Sequence, residues 1–200
     1  MLQFEREYTL KNDKVEIIPL EKSHEPALLK VSNNAAIWEY FTENGFGKEN
    51  FTKYIDRAIT NRKQHLEYPF VIKDLRRQQI AGMTRIYAID NKLKNVKVGH
   101  TWIGEAFQGT GLNKNCKFLL FEFLFEQLNM ERIGFGANAK NTKSIKAMES
   151  VGCTQEGRLR AFLPTANVAE RIDVVLLSIL KKEWETAVKT ELKQKLATYD

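Results

Sequence analysis

Between Val96 and Asn138 the chain reads as a strand, a loop with two glycines, a strongly apolar helix and a second strand. Val96 to Ile103 forms the first strand and Gln108-Gly109-Thr110-Gly111-Leu112-Asn113 the loop. Cys116 to Leu128 forms the helix, and Arg132 to Asn138 the second strand, with Ile133, Phe135 and Ala137 alternating with small residues. That order is a βαβ unit, in which a crossover helix makes the two strands parallel neighbours. A chain built around it needs a sheet containing at least one parallel pair, covered by helices. The fold class is therefore α/β (α+β).

The flanking sequence extends this frame. Val15 to Leu20 reads as an opening strand, Ser23 as the cap of a helix running toward Lys30, and Ile37 to Phe41 as a second short helix. From Lys48 to Leu66, Phe51, Tyr54, Ile55, Ala58 and Ile59 share one helical face. Pro69 to Ile72 and Gln79 to Ile89 read as strands joined by a polar turn around Arg76. A helix from Thr142 to Ser150 is stopped by Gly152, and Gly157 to Leu163 with Ile172 to Leu180 reads as a closing hairpin. Trp184, Val188, Leu192 and Leu196 mark an amphipathic C-terminal helix. With no repeat, low-complexity segment or linker, residues 1–200 read as one domain. Its core spans 15–184 and its C-terminal helix 185–200.

The glycine loop is the most informative segment for function. Gly109 and Gly111 permit backbone conformations closed to other residues and leave room for a ligand. The helix after the loop offers unpaired N–H groups and the positive end of its dipole. Together these make a phosphate cradle. Lys114 and Lys117, placed in the first helical turn, oppose the dipole unless an anion compensates. A tight βα turn with glycines for steric reasons alone is the plainer alternative. A nucleoside-triphosphatase loop is disfavoured, because Thr110 stands where the lysine after Gly109 is required. A dinucleotide fingerprint is disfavoured as well, because position 114 is Lys and the loop comes halfway along the chain.

Composition narrows the classes further. Apolar residues make up 43% and charged residues 28%, the balance of a globular protein. No window approaches the roughly eighteen apolar residues of a membrane helix, and the first residues lack the basic start and apolar centre of a secretory signal. The 2 cysteines, Cys116 and Cys153, make no disulfide framework or zinc cluster and read as core thiols, which favours a cytoplasmic location and no metal. The net charge of +6 suits either a nucleic-acid surface or a small polyanionic cofactor, but the basic residues are scattered.

The sequence resembles the GNAT superfamily of acetyltransferases, and within it the branch that acetylates the N-termini of ribosomal proteins (RimJ/RimL-like). Gln108, Gly111 and Asn113 occupy the defining positions of that family's loop, and Gly99-His100-Thr101-Trp102 leads into it as the family's fourth strand does. Asn141-Thr142-Lys143-Ser144, Val151-Gly152-Cys153 with Glu156-Gly157-Arg158-Leu159-Arg160, and Asp173 with Ser178-Ile179-Leu180 and Glu183-Trp184 continue the likeness in order. It spans Val15 to Trp184.

The resemblance implies a twisted mixed sheet of about seven strands in which strands four and five splay apart. It also implies acetyl-CoA (coenzyme A) as the small-molecule acyl donor. The pantetheine arm would pair with the edge of Thr101, Trp102 and Ile103. The pyrophosphate would rest on Gly109, Thr110, Gly111, Leu112 and Asn113, with Gln108 and Lys114 beside it. The acceptor would be an amine, either a protein N-terminus or a small molecule, attacked directly and without an enzyme nucleophile. Asn141 would hold the arm, and Ser144 would stabilise or protonate the sulfur; Asn141 as a plain helix cap is compatible with both. His100 and Glu105 are the candidates for the base or for substrate contact, and Glu156 reads as structural.

Ile172, Leu177 and Asn138 depart from the branch where Arg, Tyr and Asp are frequent. These positions lie on the substrate side, so substrate identity does not transfer. The branch also suggests a homodimer, with the C-terminal helix as a candidate surface, and no DNA or membrane partner. The readings to separate are an N-acetyltransferase, a non-catalytic acyl-CoA-binding module and a nucleic-acid-binding domain.

Overall fold

A computed structural model of the chain describes residues 1–164 and 170–197. Eight strands form one sheet: β1 (Leu10–Lys11), β2 (Val15–Pro19), β3 (Glu67–Asp74), β4 (Gln79–Asp90), β5 (Asn95–Ile103), β6 (Arg132–Asn138), β7 (Thr154–Pro164) and β8 (Arg171–Leu180). Their order is β1-β2-β3-β4-β5-β6-β8-β7, and every pair is antiparallel except β5–β6. The eighth strand is the two-residue β1, so the family's strand four corresponds to β5 here.

Helices cover both faces. On one lie α1 (Glu25–Ser32), α2 (Ala35–Trp38) and α3 (Lys48–Lys63). Trp38, Phe51, Tyr54, Ile55 and Ala58 pack there against Val71, Met83 and Trp102 of the sheet. On the other lies α4 (Leu112–Glu122), whose Leu112, Cys116, Leu120 and Phe121 join Ile17, Phe70, Ile72, Val96 and Val98. The helix α5 (Thr142–Glu149) comes after β6. The chain closes with α6 (Lys181–Glu183), a wide turn over Trp184–Val188 and α7 (Lys189–Ala197). Trp184 is fully buried against Phe118, Phe121 and Phe125. Residues 198–200 of the expected C-terminal helix lie outside the described residues.

Several expected boundaries shift. Ser23 does not cap α1: it sits inside a tight turn over Lys22–His24, and its hydroxyl bonds Glu21 instead (3.2 Å). Pro26, with no N–H to donate, sits at the start of the helix, whose cap position is His24. The second helix begins at Ala35, because the Asn34 side chain accepts from the Ala36 amide (3.0 Å). The apolar helix starts at Leu112 rather than Cys116 and ends in a wide turn over Phe123–Gln127. Lys114 is thus in its first turn but Lys117 in its second. Gly152 takes φ +95° just past α5, as its stop role requires.

Two irregularities in the centre of the sheet decide where it opens and which way its side chains point. Met83 pairs with Trp102 and Arg85 with Gly99, so one residue of β4 faces two of β5, His100 and Thr101. This bulge, with His100 at φ +48°, reverses the alternation along β5. Val96 and Val98 point toward α4, whereas Trp102 points toward α3. The parallel pair is short as well: Asn95, Val96 and Lys97 pair with Arg132, Ile133 and Gly134, and the ladder stops there. Beyond that point β5 stays bonded to β4 and β6 to β8, so the two inner edges diverge.

Candidate active site

At the open end of this splay stands the glycine loop. After a tight turn over Glu105–Phe107 the chain passes through Gly109 at φ +76° and Gly111 at φ +79°, then enters α4. The left-handed conformation at Gly111 turns the first amides of α4 outward, and the residue at the cap position offers them no side chain. The amides of Gly109 to Asn113 have no acceptor among the described residues. The Asn113 side-chain oxygen is likewise buried without a partner among them.

Cations from distant elements surround the loop. Arg76 donates to the Thr110 carbonyl (3.1 Å) and Arg77 to that of Ala106 (2.8 Å), both from the β3–β4 turn, which Asp74 ties down through their amides. Gln108 fastens the loop to the end of β5 through the Ile103 carbonyl (2.9 Å) and accepts from Lys143 of α5 (2.6 Å). Unpaired amides and a cationic rim suit a phosphorylated ligand. Apart from the Ile103 carbonyl held by Gln108, the inner edge from Thr101 to Ile103 pairs with no strand and suits the amides of an extended arm. The residues present therefore fit coenzyme A.

Asn141 caps α5, its side chain accepting from the Ser144 amide (3.0 Å). Its carbonyl oxygen is thus engaged locally, and the Ser144 hydroxyl has no hydrogen bond among the described residues. Lys114 is partly buried in the first turn of α4. Glu105 is exposed, accepts from Asn34 (2.8 Å) and lines an open crevice of about 460 Å³ together with Lys30, Asn33 and Phe107. His100 lies on the same face of the sheet as Glu105, its ring beside Tyr87 and Phe41. The structure thus gathers the acceptor-side candidates on the α1–α2 face and the loop with α4 on the other.

Behind His100 lies a charged cluster that the sequence does not signal. Arg85 is 1% exposed, lies over the Tyr54 ring (4.2 Å) and donates to Glu67 (3.2 Å), with Glu43 at 3.7 Å. Glu43 also meets Arg57 (3.0 Å) and stands 3.8 Å from the His100 Nδ1. Burial, and then the Arg85 guanidinium, hold the His100 imidazole down to about 3. The folded state keeps His100 neutral, while the unfolded chain protonates it near 6.5. Its contribution to stability is therefore complete above that value and is lost as pH falls toward 3. His100→Gln is expected to flatten the acid sensitivity of the urea midpoint between about pH 7 and pH 4; an unchanged slope would count against this environment.

The two thiols are inert by the same physics. Both are buried, which pushes Cys116 up to about 11 and Cys153 up to about 12. Glu156 pairs with Arg132 (2.6 Å) and accepts from the Ser178 hydroxyl (2.8 Å), a bridge between β7 and the strands β6 and β8.

A sheet that parts between two parallel strands, with an amide-lined loop at the mouth, is the architecture of an acyl-CoA-dependent transferase. The Acetyltransferase (GNAT) domain matches residues 14–154, and the chain belongs to that family. It is an N-acetyltransferase. Bacillus subtilis YdaF, whose name assigns it provisionally to ribosomal N-acetylation, is 27% identical over 149 residues, 74% of this chain and 79% of that one. A GCN5-related N-acetyltransferase from Brucella melitensis superposes with a TM-score of 0.88 at 20% identity, covering 97% of this chain and 87% of the other. A spermidine N-acetyltransferase from Vibrio cholerae in complex with CoA and spermine shares the fold, with a TM-score of 0.73 at 19% identity over 88% of this chain and 100% of that one. No helix among the described residues is long and apolar enough to cross a membrane.

Proposed function

We propose that this chain binds acetyl-CoA in the splay between β5 and β6 and passes the acetyl group directly to a primary amine. The acceptor is a protein or peptide N-terminus or a small amine. The observation that carries this reading is the coincidence of two vacancies in hydrogen bonding: the free amides of Gly109 to Asn113 and the unpaired β5 edge that runs away from them. When bound, the cofactor supplies its acetyl group as a thioester. The chain's own groups do the rest.

The loop amides and the Lys114 side chain hold the diphosphate. Backbone groups of Thr101, Trp102 and Ile103 orient the arm, and a β5 N–H near the bulge is the donor for charge developing on the thioester oxygen. Asn141 fixes the first turn of α5, and the Ser144 hydroxyl would be the group to stabilise or protonate the leaving sulfur. Glu105 attracts and orients the amine from the crevice of the α1–α2 face. His100, held neutral, places no positive charge beside the approaching amine. The provisional name of YdaF and the polyamine bound to the Vibrio cholerae neighbour supply the two acceptor classes to try.

A thermal-shift titration with acetyl-CoA, then a free-thiol release assay over N-terminal peptides and polyamines, tests this function. Stabilisation together with amine-dependent thiol release is expected. Stabilisation without release by any amine would make the chain an acyl-CoA-binding module. No stabilisation would remove the reading altogether.

A further inference from the structure

Lys117 stands apart from the other lysines. Its side chain leaves the second turn of α4 toward the sheet and is 4% exposed. Its ammonium nitrogen donates to the Thr101 hydroxyl (3.0 Å), which in turn meets that of Thr84 (2.8 Å), and it lies 5.8 Å from the centre of the Phe135 ring. Thr101 belongs to β5 and Phe135 to β6, four residues past Lys97 and one past Gly134, the last paired residues. The nitrogen therefore spans the inner end of the splay. Among the described residues no carboxylate pairs with it. Among the described residues the other buried charges have an opposite charge at hand, as Arg85 has Glu67 and Asp74 has Arg76; Lys117 has one neutral hydroxyl.

We propose that Lys117 is a self-acetylation site, its side-chain nitrogen taking the acetyl group of the acetyl-CoA bound in the splay. The inference rests on the cofactor reading above: an arm that starts at the loop and runs back along β5 carries its acyl end toward this nitrogen. In the reaction the nitrogen lone pair forms a C–N bond to the acetyl carbon, and the C–S bond breaks with its electrons going to sulfur. One N–H proton moves to that sulfur, leaving an amide and free coenzyme A thiol, so no further reactant is needed.

Burial favours each requirement. It pushes Lys117 below the ordinary lysine range, so more of the amine is neutral and nucleophilic. The neighbouring thiols of Cys116 and Cys153, raised by the same burial, add no negative charge to oppose this. The product amide is neutral and retains one N–H for Thr101, so modification removes an uncompensated buried charge. The protein would thereby cap its own slot.

The test is incubation of the whole protein with carbon-13-labelled acetyl-CoA, then peptide mass spectrometry and a parallel thermal shift. Labelled acetyl on Lys117 is expected, at a rate independent of protein concentration and at least about tenfold above that of the exposed Lys92. Lys117→Met should remove that label while exposed lysines keep theirs. If acetyl-CoA stabilises the protein but Lys117 stays unlabelled, or is labelled no faster than Lys92, the self-acetylation is refuted and the cofactor site stands. If acetyl-CoA gives no stabilisation, both fall.

Discussion

Gly111→Val is expected to weaken acetyl-CoA binding by about a hundredfold or more while the protein still folds. Position 111 takes φ +79° and is the cap of α4. A β-branched residue is a severe outlier there, and the left-handed conformation costs roughly 1–2 kcal/mol even for simpler side chains. The chain relieves this by rebuilding the start of the helix, which turns the amides of Leu112 and Asn113 away from the mouth of the splay. Each charge-assisted bond from an amide to phosphate contributes about 1.5–3 kcal/mol. Losing two of them gives the expected drop, since about 1.4 kcal/mol is tenfold in affinity. Calorimetric titration reads the affinity, and circular dichroism with urea unfolding reads the fold. A variant that folds and binds as tightly as the parent would contradict the amide cradle.

The largest stability effect is expected at Glu67. Its carboxylate accepts from the Asn61 side chain and from Arg85, whose guanidinium is all but fully buried. Glu67→Leu leaves that cation with only Glu43, at 3.7 Å, among the described carboxylates. Removing one partner of a buried pair costs about 3–5 kcal/mol, mostly because the remaining charge is stranded. The double variant Glu67→Leu/Arg85→Met is expected to recover much of the loss, because it removes both charges from the interior. Urea unfolding of the single and double variants measures this. A single variant within about 1 kcal/mol of the parent would show that Glu43 or water already balances Arg85.

How legible these features are in the sequence depends on how local their causes are. The glycine loop, the apolar helix and the parallel pair are readable, because two glycines and a helical period act within a few residues. The cap at Asn141 is readable for the same reason. The bulge at His100 is not: Val96, Val98, His100 and Trp102 alternate like any regular strand, and only the pairing with β4 reveals the extra residue. Hence Trp102 changes face without any local signal.

Arg85 looks like an outward-facing strand residue, because its carboxylates come from a different strand and from the segment between α2 and α3. The cations at the loop are hidden likewise, since Arg76 and Arg77 reach it from a turn about thirty residues earlier, a distance no periodicity spans. Lys117 misleads most. A lysine near a helix start suggests a surface cation, but this one turns toward the sheet, where its nitrogen meets the Thr101 hydroxyl of β5.

The position of the cofactor arm is the claim on which the rest depends, and a crystal structure of the protein grown with coenzyme A addresses it most directly. The diphosphate is predicted on the amides of Gly109 to Asn113, with the arm bonded along Thr101, Trp102 and Ile103 and its sulfur near Ser144. Coenzyme A bound elsewhere, with the β5 and β6 edges closed against each other, would contradict it.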